Sequence, residues 1–271
     1  MAEQANTIRI TQTAATLAAM LGIPAPAGAD EPEQIILHKA EKIWNGQKAE
    51  RLLIYNPDAV GLWLYQKYTA RFDLVLQNAQ LDLPVRSVMP SVTPVNFASM
   101  YSGVTPDVHG IQAYVRPVLR VETLYDTMLA AGKRPAIVST KNDSISLIFL
   151  ERNMDYYIYD TPDEVNAKAI ELMKEDKYDL ITVYNGNYDG TMHKYGPESP
   201  EALAALDHNA KAYATLCGVA NEAWAKYRFA TAYLPDHGCH EIDGNCGSHG
   251  LDMPEDMNII HFYDFHNPAN A

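Results

Sequence analysis

Aspartate and histidine recur in this chain where a packed core has little use for them. Pro235-Asp236-His237-Gly238 leads toward the Gly-rich run Gly247-Ser248-His249-Gly250. Tyr188-Asp189-Gly190-Thr191-Met192-His193 places an Asp and a His at i and i+4, and Asn56-Pro57-Asp58 adds another carboxylate. Predicted strands precede these runs: Arg228 to Leu234 before Asp236, Asp179 to Tyr184 before Asp189, and Arg51 to Tyr55 before Asp58. Strand ends that deliver Asp and His alone offer hard oxygen and nitrogen donors, a set suited to Zn²⁺ or a similar divalent ion. A single Asp at a strand end is usually a helix cap, so the weight rests on the runs together.

Met89-Pro90-Ser91-Val92-Thr93-Pro94-Val95-Asn96 reads as strand, sharp turn and helix, with Thr93 at the helix start. A Thr there serves as an N-cap. It can also serve as a nucleophile: beside a metal its hydroxyl loses its proton, and the helix N-terminus draws in an anionic group such as phosphate. His109, in Pro106-Asp107-Val108-His109-Gly110, reads as a structural hydrogen-bonding residue. His38, His208, His261 and His266 have no ligand-like context. Lys141-Asn142-Asp143 reads as a solvated turn at the same sheet edge. The 17 tyrosines read mostly as core or surface, and Tyr188 and Tyr195, beside the Asp189 run, have packing against a substrate as the alternative.

Taken in order, these runs resemble the alkaline phosphatase superfamily, and within it the nucleotide pyrophosphatase/phosphodiesterase branch. That branch carries a Thr-Phe-Pro-Asn turn, matched here by Thr93-Pro94-Val95-Asn96, and a Pro-Glu-Ser-His-Gly-like run, matched by Pro106-Asp107-Val108-His109-Gly110. Its Asp-x-x-x-His-x-x-Gly-Pro run is matched by Asp189, His193, Gly196 and Pro197. Its Asp-His-Gly run is matched by Asp236-His237-Gly238, and its final His by His249. One such motif alone is weak. All of them in one order, from Arg51 to Gly250, are a strong signal.

The resemblance implies a chemistry. Asp189, His193 and His249 would hold one divalent ion. Asp58, Asp236 and His237 would hold a second, with the Thr93 hydroxyl oxygen reaching it. Zn²⁺ is the first expectation for both ions, with Mn²⁺ or Fe as alternatives. Two ions about 4 Å apart clamp the attacking and leaving oxygens of an in-line phosphoryl displacement. Thr93 would attack phosphorus, and the covalent phospho-threonine would then be hydrolysed. Asn96 would hydrogen-bond a non-bridging phosphate oxygen. The substrate would be a small phosphorylated molecule, cleaved at a phosphodiester or pyrophosphate bond. The alternatives are a phosphomonoesterase, a phosphonate hydrolase, or a metal-binding homologue without turnover. A sulfatase needs a Cys-x-Pro-x-Arg turn, which Thr93 and Asn96 replace with no Arg following. Mutases of the superfamily carry an extra domain for which this chain is short.

Composition agrees with an enzyme domain. The 271 residues are 47% hydrophobic and 20% charged, enough to bury a sizeable core and outside the range of disordered chains. The net charge of −13, from 21 basic and 34 acidic side chains, argues against a nucleic-acid groove. It does not oppose a small phosphorylated substrate, because two divalent ions make the local field positive. No segment reaches the ~18 apolar residues of a membrane span, and no basic stretch opens a secretory leader, so a cytoplasmic protein is expected. The three cysteines are too few for a disulfide scaffold. Cys239 and Cys246 flank the metal run and read as small residues in a Gly-rich loop. A loop-closing disulfide or an extra site with His240 is the alternative.

The elements that must position these residues alternate. Arg51–Tyr55 is followed by a helix over Ala59–Tyr68, and Leu83–Met89 by a helix over Pro94–Ser102. A helix over Thr123–Ala131 precedes the strand Ala136–Thr140. Tyr156–Tyr159 precedes a helix over Pro162–Glu175, where Thr161 and Glu164 form a capping box. Asp179–Tyr184 precedes a long helix over Pro200–Tyr227. The expectation is an α/β fold: a mostly parallel central sheet, helices on both faces, and ligands gathered at the carboxyl ends of strands. One domain is expected over 1–271, with an N-terminal helical segment at 1–48, a catalytic core at 49–271 and no large cap domain. Thr11 to Ile23, closed by Pro24-Ala25-Pro26, resembles a helix that the superfamily places after the last metal ligand. A permuted connection is therefore expected, with this helix packing against a strand at Met257–Tyr263.

Overall fold

The structure is a computed structural model that describes residues 7–268. The extreme N-terminus, on which the reading of a missing leader partly rests, lies outside the described residues. The chain begins α1 (Gln12–Leu21), α2 (Gln34–Trp44), β1 (Arg51–Pro57), α3 (Leu62–Lys67), a 3₁₀ turn (Thr69–Phe72), α4 (Asp73–Leu76), β2 (Leu81–Arg86), α5 (Thr93–Ser102) and α6 (Pro106–His109). It continues α7 (Leu124–Ala130), β3 (Pro135–Thr140), α8 (Ser144–Ile148), β4 (Asp155–Tyr159), α9 (Pro162–Glu175), β5 (Leu180–Asn185), α10 (Asn187–Tyr195) and α11 (Pro200–Ala223). It ends β6 (Phe229–Tyr233), β7 (His240–Ile242), β8 (Cys246–Ser248), α12 (Pro254–Met257) and β9 (Asn258–His266).

Seven strands form one sheet in the order β2-β9-β6-β1-β5-β3-β4. From β6 to β4 every pairing is parallel, and β9 runs antiparallel to both β6 and β2. The carboxyl ends of all strands but β9 therefore share one edge. Alternation along β1 sends its side chains to two cores. Leu52 and Ile54 join Leu17, Phe97 and Tyr125, whereas Leu53 and Tyr55 join Phe72, Tyr213 and Trp224. Burial on both faces is what a central parallel strand requires.

Charge pins the opposite edge. Arg51, at the start of β1, reaches Asp176 at 3.0 Å and Asp179 at 3.1 Å, and its guanidinium lies 4.0 Å from the Tyr227 ring centre. The predicted α9 appears with its expected bounds. Thr161 Oγ1 accepts from the Glu164 amide at 3.3 Å, and Glu164 Oε2 accepts from the Thr161 amide at 3.0 Å.

Four expectations are corrected. The helix expected from Ala59 starts at Leu62, because Ala59 takes a left-handed φ of 63° while its amide donates to Asp236 Oδ1 at 3.3 Å. The strand expected over Leu83–Met89 is Leu81–Arg86, since residues 87–92 are taken up by the turn before Thr93. The long helix ends at Ala223 rather than Tyr227, where the Tyr227 hydroxyl is drawn to Asp176 at 2.7 Å. The N-terminal helix packed on β9 is α2 rather than the expected α1. Trp44 Nε1 donates to the His266 carbonyl at 2.9 Å, and its ring meets Phe265 edge-on at 5.6 Å. Helix α1 instead packs on α2, α5 and α7. No described helix is long and apolar enough to cross a membrane.

Candidate metal and nucleophile site

Strand ends deliver the first three candidate ligands. Asp58 follows β1 and is held by its amide to the Asn185 carbonyl at 3.3 Å. Asp236 and His237 follow β6, whose exit is tied to β1 by the Leu234 amide on the Tyr55 carbonyl at 2.8 Å and by Asn56 Nδ2 on the Leu234 carbonyl at 2.7 Å. Helix α10, after β5, carries Asp189 and His193 one turn apart. The β7–β8 hairpin, unforeseen in the sequence, folds over α10 and presents His249. Gly247 lets it come close, because a Cβ there would collide with Met192 Sδ and lie 2.8 Å from the Met192 carbonyl oxygen.

These residues fall into the expected triads. Asp58, Asp236 and His237 form one cluster and Asp189, His193 and His249 the other, with the ligand atoms of each within 4.8 Å of one another. The first is sealed. The second opens to solvent through His193, whose side chain is 42% exposed. The His237 and His249 rings stack at 4.1 Å, so the clusters adjoin.

The histidine rings fit a cation. His193, His237 and His249 each set Nδ1 against a backbone carbonyl, of Gly247 at 2.9 Å, Gly238 at 2.9 Å and Ser91 at 3.0 Å. A carbonyl can only accept, so each Nδ1 carries hydrogen and each ring, once neutral, turns the lone pair of Nε2 inward. His237 Nε2 then faces Asp58 Oδ1 and Asp236 Oδ2, both at 3.3 Å. His193 and His249 Nε2 face Asp189 Oδ1 at 3.3 and 3.4 Å and one another at 3.1 Å. Asp189 Oδ1 and Asp236 Oδ2 are buried without a hydrogen-bond partner. Lone pairs aimed at one point suit a cation, and the carbonyl on each Nδ1 fixes tautomer and ring orientation.

Electrostatics agree. Burial, then the charge of Asp189, pushes the Asp58 carboxyl up to about 7. Burial, then Asp58, pushes Asp236 well above the usual carboxylate range, and burial pulls His237 well below the usual imidazole value. Two buried carboxyls that resist their charge are what a divalent counter-ion relieves, and a buried imidazole held neutral keeps its lone pair for one. At the open cluster the contact with Asp189 raises His193 to about 9. Burial opposes charge on Asp189 and His249 as well, yet their pairing lowers the carboxyl and raises the imidazole. A bound cation would take the place of that proton.

Thr93 is the first residue of α5, with Val92 as the N-cap, and no side-chain capping bond forms there. The N-cap reading of Thr93 is thereby corrected. Its Oγ1 lies 3.2 Å from His237 Nε2 and 3.3 Å from Asp58 Oδ2, and the residue is buried. Asn96, expected to meet phosphate, is turned to its own loop in this structure. Its side chain is fully buried, Oδ1 accepts from the Val88 amide at 2.8 Å, and Nδ2 points to the Val88, Pro90 and Val92 carbonyls. It holds the turn that carries Thr93.

His109 serves structure, as expected. Nδ1 accepts from the Ile111 amide at 3.1 Å, leaving Nε2 to donate to Ser99 Oγ at 3.0 Å. Cys239 and Cys246 are free thiols, and His240 pairs with buried Asp256 at 2.7 Å. The sequence reading missed other residues near the site. Asp143, expected in a solvated turn, is half-buried, and burial followed by the charge of Asp189 raises it to about 7. Arg116 donates to the Asn142 carbonyl in the same loop and lies 5.7 Å from the exposed Tyr114 ring. Tyr184 donates to Asp58 Oδ2.

No protein-family model and no curated protein matches this sequence. Among solved structures the chain is similar to human ectonucleotide pyrophosphatase/phosphodiesterase 5, at 17% identity and a TM-score of 0.58, over 71% of this chain and 58% of that one. It is similar to an inactive variant of the murine protein in complex with AMP, at 17% identity and a TM-score of 0.57, over 73% and 59%. It is also similar to phosphonoacetate hydrolase from Sinorhizobium meliloti in complex with phosphonoacetate, at 19% identity and a TM-score of 0.55, over 74% and 61%. The chain thus spans 58% to 61% of the length of these structures. What is shared is the fold, a mostly parallel sheet covered by helices, as the superfamily resemblance implies.

Proposed function

We propose that the protein hydrolyses a phosphodiester or pyrophosphate bond of a small phosphorylated molecule through a covalent phospho-threonine at Thr93. The observation that carries this reading is the placement of Thr93 Oγ1 beside His237 Nε2 and Asp58, in one of two adjoining clusters that together hold three imidazoles and three carboxylates. Asp58, Asp236 and His237 would hold one divalent cation and Asp189, His193 and His249 the other, Zn²⁺ first, with Mn²⁺ or Fe as alternatives. When bound, such ions supply Lewis-acid stabilisation to the attacking and leaving oxygens.

The chain's residues do the rest. Helix α5 and the turn braced by Asn96 aim Oγ1. It loses its proton to solvent and forms a bond to phosphorus as the bond to the leaving oxygen breaks. The leaving oxygen takes a proton from water. Water then attacks phosphorus from the vacated side, breaks the Oγ1–phosphorus bond and returns a proton to Thr93. A second reading, phosphonate hydrolysis, is favoured by one observation: phosphonoacetate hydrolase is matched about as well as the phosphodiesterases.

The test is turnover of aryl phosphate monoesters and diesters and a phosphonate by wild type, Thr93→Ala and Thr93→Ser. Thr93→Ala should lower turnover roughly 10⁴-fold or more, as loss of an activated nucleophile does, and retain bound metal. Thr93→Ser should keep measurable activity. Near-wild-type turnover by Thr93→Ala would replace the covalent route with direct attack by water. The preferred ester ranks the two readings.

A further inference from the structure

Tyr184 closes β5, one strand over from Asp58, and is buried. Its hydroxyl donates to Asp58 Oδ2, while Asp58 Oδ1 lies 3.3 Å from His237 Nε2. One carboxylate thus divides its oxygens between a phenol and the point where ligand atoms converge. Burial, followed by the charges of Asp58, Asp143 and Asp189, keeps the phenol protonated. Two features set its hydroxyl. The Phe97 ring of α5, one turn beyond Thr93, meets the Tyr184 ring edge-on at 5.5 Å. Gly186 leaves the space the hydroxyl uses, because a Cβ there would lie 2.8 Å from it. That glycine has an ordinary φ of −92°, so the small side chain matters here for room and not for backbone freedom. At the open cluster Asp189 Oδ1 faces His193 and His249 Nε2 at 3.3 and 3.4 Å, and Tyr184 does not reach it.

We propose that Tyr184 is a positioning residue for the sealed cation site: its hydroxyl fixes the rotation of the Asp58 carboxylate, keeping Oδ1 aimed at the point shared with His237 Nε2 and Thr93 Oγ1. It thereby sets the affinity of one ion and not the other. The Phe97 contact links the same side chain to the helix that carries Thr93. This inference rests on the two-cation reading above.

The experiment is direct Zn²⁺ titration of metal-free protein by competition with a chromogenic chelator, with no turnover involved. Wild type, Tyr184→Phe and Gly186→Ala are compared, each also in a His193→Ala background that disables the open cluster and an Asp236→Ala background that disables the sealed one. Tyr184→Phe keeps the ring and removes the donor. It should weaken Zn²⁺ about 10–100-fold in the His193→Ala background, the usual size for the loss of a hydrogen-bonding partner of a ligand. It should change nothing in the Asp236→Ala background. Gly186→Ala displaces the hydroxyl without deleting it and should weaken the same ion. It decides the matter if Tyr184→Phe does not fold. Unchanged affinity in the His193→Ala background, or equal weakening in both backgrounds, would overturn the inference. Wild type that binds no Zn²⁺ would instead overturn the two-cation reading beneath it.

Discussion

The two ligand clusters use the same residue types and differ in what builds and surrounds them. Asp58, Asp236 and His237 leave the ends of β1 and β6, adjacent parallel strands, with side chains 3%, 0% and 0% exposed. Asp189, His193 and His249 come from a helix and the loop after a hairpin, with side chains 19%, 42% and 6% exposed. A strand ladder fixes its ends through backbone bonds, so the sealed cluster inherits the rigidity of the sheet. The other cluster depends on how α10 and the hairpin dock. Sealing also raises the electrostatic stakes, because an uncompensated charge costs more where water is excluded. The sealed cation should therefore be bound tightly beside Thr93, and the open one should exchange and meet solvent.

Between the two clusters the larger effect should come from the sealed side. Asp236→Asn removes a charge from a fully buried cluster and should lower turnover on the order of 10³-fold, the several kcal/mol that Lewis-acid stabilisation supplies. Metal content should fall from two ions toward one. Turnover within tenfold of wild type would remove the distinction between the clusters.

His193→Ala attacks the open side and should be milder. Affinity for the open ion should drop at least about tenfold, and excess Zn²⁺ should restore much of the activity. Failure of excess metal to restore any activity would mean that His193 does more than hold the ion.

The sequence disclosed the clustered Asp and His residues and concealed their supports. Helix α9 was legible because Thr161, Pro162 and Glu164 are local signals that need no distant partner. The Asp and His runs were legible because ligand chemistry restricts residue type. Ala59 was not, since its left-handed backbone accompanies a bond to Asp236 from a remote strand end. Tyr184 reads in sequence as one more strand aromatic, and its role depends on Asp58, 126 positions away. Asn96 matched a motif by type, yet its amide turned to its own loop. Residue type can be read from local sequence, whereas orientation comes from packing.

A pH series should separate the clusters further. The metal-free open cluster keeps a proton on His193 up to about 9, and the sealed cluster keeps one on Asp58 up to about 7. A cation must displace that proton, so affinity falls as pH falls below the group's pKa, by up to about tenfold per unit for each proton displaced. Open-site affinity should thus rise with pH until about 9, whereas at the sealed site Asp58 and Asp236 are both held above the usual carboxylate range, so two protons must be displaced and the slope below about 7 should be the steeper. Chelator competition across this range checks the order, and parallel curves would contradict it.

The smallest effect should be at Cys246, a half-buried free thiol on β8 that belongs to neither cluster. Cys246→Ser should leave metal content unchanged and stability within about 0.5 kcal/mol. Loss of an ion in this variant would bring the thiol into the open site.

Anomalous diffraction from crystals of the Zn²⁺-reconstituted protein tests the central claim most directly. Two peaks are predicted, one among Asp58, Asp236, His237 and the Thr93 hydroxyl, the other among Asp189, His193 and His249, with the second fading first on chelator soaking. No peak at either cluster would contradict the account, and so would a single ion or a first loss from the sealed site.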